Sequence, residues 1–141
     1  MINDGLKLTG KLKIALNGET VQEVNNLVVT DGKGYVASRM KDTSATAMSH
    51  MAIGSGSTAA AAGDSALGNQ LGRVALTSTA VSGAVVTYTA TFAAGTGTGA
   101  VTEAGILNAS SSGTLLCRTV FSVVNKGASD SMTITWTVTV S

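Results

Sequence analysis

The sequence has no proline, one cysteine, one histidine and few aromatic residues. Cys117 stands alone, so no disulfide can close within the chain. A zinc site needs several Cys or His ligands, and Cys117 and His50 are all the chain offers, so no metal site is expected. Aromatics make up only 4% of residues, which argues against a surface that stacks sugars or bases. Charged residues are 12%, against an ordinary share of about a quarter. Nine basic and eight acidic side chains leave a formal charge of +1, which is no electrostatic footprint for nucleic acid or an anionic membrane. No stretch approaches the length of apolar residues needed to span a bilayer. Met1–Gly5 lacks a basic segment followed by an apolar run, so no signal peptide is expected, and the chain reads as made in a reducing cytosol.

What is present is alternation. The hydrophobic share is 44%, enough for a core, and 141 residues suit one domain, with residues 1–47 as a possible hairpin-plus-helix subregion. From Leu6 to Leu16 the even positions are apolar apart from Gly10, while Lys7, Thr9, Lys11 and Lys13 fall on odd ones: a half-buried strand with a lysine-bearing outer face. Asn17-Gly18 supplies a hairpin turn. A return strand is expected from Glu19 to Thr30, with a bulge near Glu23 where Val21 and Val24 break the alternation. Thr30 or Asp31 caps a short helix through Lys41, and Asp42–Ala47 reads as a loop. Met48–Ile53 reads as a strand, and Asp64 or Ser65 starts one more helical turn through Leu71. Further strands are expected over Arg73–Val81, Ala84–Phe92, Val101–Leu107 and Leu115–Phe121, with Asn125-Lys126-Gly127 opening a turn. The clearest pattern is the last: Met132, Ile134, Trp136, Val138 and Val140 alternate with Thr133, Thr135, Thr137 and Thr139. These elements predict an all-β protein, an antiparallel sandwich or jelly roll with one or two short helices in its N-terminal half.

No motif points to catalysis. Gly95–Gly99 is glycine-rich but lacks the Lys-Ser/Thr pair and the helix of a phosphate loop, and Gly54-Ser55-Gly56 lacks the third glycine of a dinucleotide fingerprint. No cofactor is expected. Ser49-His50 has no evident orienting acid, and neighbouring strand residues point to opposite faces, so a triad is not expected. Cys117 lies in an apolar run and reads as a buried thiol, and Trp136 as core. Glu103, alone in an uncharged stretch, either pairs with Arg73 or Arg118 or binds a cation, and the pairing is the leading expectation. Asn108-Ala109-Ser110 matches a glycosylation acceptor by chance in a hairpin tip. Lys7, Lys11 and Lys13 line one strand face; they either contact an acidic partner or form a solvated, aggregation-resistant face.

Four groups of residues carry a resemblance. Met51–Ala60 with Ala66–Arg73, Thr87–Phe92 through Thr102–Ile106, Arg118–Phe121 with Asn125–Gly127 and Thr133–Trp136, and the opening Gly5–Leu8 with Asn26–Thr30 resemble small structural proteins of tailed bacteriophages. That family includes capsid decoration (cement) proteins and tail or fibre proteins. The resemblance implies a non-enzymatic virion component, assembled in the host cytoplasm, that associates with itself as a trimer and with major capsid subunits or other virion proteins. Decoration of the capsid is the leading expectation, because no heptad segment supplies a fibre shaft. The alternative is a tail, baseplate or fibre protein, with a polar glycan site near Gly95–Gly99 as a further option.

Overall fold

A computed structural model describes residues 5–41 and 45–141. The alternating segments become strands β1 (Leu8–Leu16), β2 (Glu19–Asn25), β3 (Leu27–Val28), β4 (His50–Gly54), β5 (Gln70–Ala75), β6 (Ser78–Ser82), β7 (Val85–Phe92), β8 (Gly99–Leu107), β9 (Leu115–Lys126) and β10 (Met132–Val140), with one helix, α1 (Thr30–Lys41). They form two antiparallel sheets of five strands, ordered β2-β1-β10-β7-β6 and β3-β9-β8-β4-β5. The all-β sandwich expected from the alternation is therefore the fold. The first and last strands pair along their whole length, from Leu8 opposite Val140 to Leu16 opposite Met132.

Burial follows the alternation. In β10, Ile134 and Trp136 are fully buried, and Leu12, Ile14 and Phe92 join them from β1 and β7. Met51, Ile53, Ala104, Ile106 and Cys117 meet them from the second sheet. The opposite face of the first sheet is a field of threonines: Thr133, Thr135 and Thr137 stand directly across from Thr91, Thr89 and Thr87. Much of the outer face of the second sheet is covered, though Ser122, Val123 and Asn125 of β9 stand exposed beyond the cover. Residues 55–69 and α1 lie over it as a third layer, and a small second core of Val29, Ala52, Leu107 and Leu115, with Leu67 of the loop packed on it, forms there. Gly32 permits this approach, because a Cβ on it would collide with the Leu116 carbonyl of β9.

Several expected elements differ in detail. The return strand is not continuous to Thr30: it leaves the first sheet at Asn26 and resumes in the second as β3. Its irregularity lies at Val21, which is left over where Ile14 opposes Gln22 and Ala15 opposes Thr20. Arg73–Val81 is likewise two strands in different sheets, broken at Leu76-Thr77. No helical turn forms over residues 64–71, because that backbone is drawn down onto a buried carboxylate instead. β9 runs on to Lys126, so the turn begins at Gly127, where the Gly127 N–H donates to Asp130 Oδ2 at 2.7 Å. Of the loop expected at Asp42–Ala47, residues 42–44 lie outside the described residues.

Candidate functional site

The chemistry of the chain is concentrated at Glu103. A register shift between Val101 and Glu103, opposite Val120–Val124, reverses the facing of β8. Val101, Ala104 and Ile106 belong to the main core, so Glu103 turns to the outer face, beneath residues 55–69. Its carboxylate is fully buried. Oε2 accepts from the backbone N–H groups of Gly56 at 2.6 Å and Asn69 at 2.8 Å; Oε1 accepts from Gly68 N–H at 2.7 Å and Arg118 Nε at 3.0 Å. Arg118 reaches on from β9: its Nη1 bonds Asp64 Oδ2 at 2.9 Å and its Nη2 the Thr58 carbonyl at 3.0 Å. One ion pair thus ties both ends and the middle of a long loop to the sheet.

The electrostatics follow from this geometry. Burial pushes the Glu103 carboxyl up, but the N–H groups of Asn69, Gly68 and Gly56 and the Arg118 guanidinium outweigh it and hold the group below the ordinary carboxylate range. Asp64 is also held low, first by the Ala61 N–H and then, against some desolvation, by Arg118. The surrounding glycines are steric consequences. A Cβ on Gly56 would collide with Glu103 Oε2, one on Gly54 with the Asn69 carbonyl, and one on Gly105 would lie 2.9 Å from Leu115 Cδ1. The carboxylate itself is out of contact with solvent, and the cluster acts as a clamp.

Of the two expected partners, Arg118 is the one Glu103 takes. Arg73 instead bonds the carbonyls of Ala109 and Ser112 at 3.0 and 2.9 Å, pinning the β8–β9 hairpin tip. Asn108 serves that tip as well, accepting from the Thr114 N–H at 2.7 Å. Ser49 and His50 do meet, Oγ to Nδ1 at 2.8 Å, against the expectation of opposite faces. Ser49 precedes β4, so strand alternation does not govern it. No carboxylate among the described residues bonds the other ring nitrogen. Cys117 is fully buried, and burial pushes its thiol far up, out of reach of thiolate chemistry. The Gly95–Gly99 loop closes over the core, with Gly97 at φ +70° against Ile53. Lys126, expected in a turn, is buried at the end of β9 with Nζ donating to the Ala93 carbonyl at 3.0 Å.

Lys7, Lys11 and Lys13 are all exposed on the threonine face, but the structure divides them. Lys13 stands opposite Glu23 of β2. Lys7 and Lys11 border a groove at the start of β1, where Lys33 of α1 joins them. No helix among the described residues is long and apolar enough to cross a membrane. No family model, curated protein or solved structure matches this chain.

Proposed function

We propose that this chain is a structural component of a tailed-bacteriophage virion, with a capsid decoration (cement) protein as the reading of choice. One observation carries the proposal. The stretches behind the phage resemblance, Met51–Ala60 with Ala66–Arg73, Thr102–Ile106, and Arg118, come from separate parts of the sequence yet all contribute to the Glu103 clamp. Their polar groups are consumed in making a rigid three-layered β-module. A virion adhesive needs such rigidity and free surfaces rather than a reactive centre.

The free surfaces fit adhesion. β6 is an outer edge strand of the first sheet, exposed along its length, without a charge, and carrying Val81 at 74% exposure. Natural edges are normally guarded by lysine or by twist. An unguarded one suits pairing between copies, and a cyclic homotrimer is the assembly proposed. Docking of such oligomers on a repeating shell then multiplies weak contacts into firm attachment. The role is adhesive, not enzymatic.

The test is the copy number and location of the chain in purified particles, by quantitative mass spectrometry and cryo-microscopy. Hundreds of copies on the head support decoration. A handful at one vertex or on the tail would replace it with the tail or baseplate reading, and absence from particles would end the proposal.

A further inference from the structure

We infer that the groove at the start of β1 binds an extended acidic segment of a partner protein by strand addition. β2 pairs with β1 only from Lys11 onward, because the chain leaves for the second sheet at Asn26. Beyond that point the β2 side of β1 carries a single bond, from Asn26 N–H to the Gly10 carbonyl at 3.0 Å. Lys7 and Ser141 exchange both backbone bonds, at 2.7 and 2.9 Å, and the β1–β10 register runs unbroken from there. Antiparallel pairing alternates, so the polar backbone groups of Leu8 and Gly10 turn away from β10 toward the vacated side. Among the described residues, Leu8 is therefore left with an N–H and a C=O that have no partner at the groove.

Two hollows of about 400 and 390 Å³ share Leu8, Thr9 and Lys33 and follow this edge, and a third of about 240 Å³ adjoins them over the threonine face, between Lys11 and Thr139. Lys7, Lys11 and Lys33 line them, and no acidic side chain among the described residues does. A second observation points to an acceptor. Asn26 occupies the volume that Gly10 leaves open, and its Oδ1 accepts from Trp136 Nε1 at 3.2 Å. That bond fixes the amide orientation, and Nδ2 is then buried without a partner. A buried donor with nothing to bond is costly, and an acceptor that reaches it relieves that cost. The apolar Leu6 and Leu27 stand exposed on the same groove, at 72% and 38%. Backbone donors and acceptors, cations on one side and apolar contacts on the other describe the site of a short strand that alternates acidic and apolar residues. Lys13, opposite Glu23, takes no part.

This deepens the virion reading and rests on it only for the partner's source. The test is a titration of the ¹⁵N-labelled full chain, followed by NMR, with acetylated Asp-Val-Glu-Val-Asp amide, with the lysine counterpart Lys-Val-Lys-Val-Lys, and with inorganic phosphate. The acidic peptide alone should give saturable shifts at the Leu8 and Gly10 amides and the Asn26 side-chain amide. Lys11→Glu combined with Lys33→Glu, both exposed positions, should weaken it at least tenfold while leaving the rest of the spectrum in place. Absence of saturable shifts at these groups up to about 1 mM peptide, a floor of roughly 4 kcal/mol, would overturn the inference. Equal shifts from the lysine peptide, or from phosphate alone, would overturn it too. A negative titration together with high copy number on heads would sink this inference and leave the virion reading standing.

Discussion

Replacing Glu103 by glutamine probes the clamp with the smallest change of shape. Each carboxylate oxygen accepts two or more bonds: Oε2 from Gly56 and Asn69, Oε1 from Gly68 and Arg118. Whichever oxygen becomes an NH₂ group, a donor then faces donors, and at least two bonds to a charged acceptor are lost. Such bonds contribute about 1.5–3 kcal/mol each. Arg118, only 3% exposed, keeps its charge with half its compensation gone. The first route gives about 3–6 kcal/mol and the second about 3–5 kcal/mol, the range for breaking a buried pair, so a loss of about 3–5 kcal/mol satisfies both. For a chain of 141 residues, at roughly 4 °C per kcal/mol, Tm should fall by about 12–20 °C. The assay is thermal and urea unfolding followed by the fluorescence of Trp136, the single tryptophan. Exposed Glu19→Gln serves as the control, with a change under about 0.5 kcal/mol. The sign with pH is fixed as well. The folded Glu103 carboxyl lies below its ordinary 4.5, so its contribution is complete above that value and is lost as pH falls through the folded one. The gap between wild type and Glu103→Gln should therefore narrow as pH is lowered from 5 toward 2. A Tm loss under about 4 °C, or a gap independent of pH, would refute the reasoning.

Three further outcomes are expected. Cys117 should resist a thiol-specific disulfide reagent in the native protein and react fully in denaturant, since it is fully buried; rapid native reaction would contradict its place in the core. Gly10→Ala should collide with Asn26 Oδ1, break its bond to Trp136 Nε1, shift the tryptophan emission and cost about 1–3 kcal/mol; an unchanged spectrum would contradict the packing. Light scattering of the wild type should report about three times 14.0 kDa, and Val81→Lys should move it to the monomer without lowering the monomer's Tm. A wild-type monomer at high concentration would remove self-association from the account.

The sequence made some of this plain and hid the rest for physical reasons. β7 and β10 were legible because Val86–Phe92 and Met132–Val140 obey a period of two and both are central strands with one buried face. Glu19–Thr30 and Arg73–Val81 read as single strands because period two does not report which sheet a segment joins; each changes sheet within a few residues. That Glu103 pairs with an arginine was foreseeable from an isolated charge in an uncharged stretch, but the choice of Arg118 over Arg73 was not. The three N–H groups were not, since Gly56, Gly68 and Asn69 reach the carboxylate only through the path of residues 55–69. That segment looked partly helical because local propensity says nothing of a buried anion 34–47 residues away in sequence that captures its N–H groups. Lys33 and Asn26 went unnoticed beside the lysine row because they reach the groove from other elements, where no periodicity links them to β1.

Amide hydrogen exchange at Gly56, Gly68 and Asn69 tests most directly whether residues 55–69 are a clamped wall of a rigid module. If they are, these three amides exchange only through global unfolding, as slowly as those of β10, and Glu103→Gln accelerates all three together. Exchange at the rate of an open loop in the wild-type protein would mean that the layer is a mobile cover, and a rigid adhesive module would no longer describe this chain.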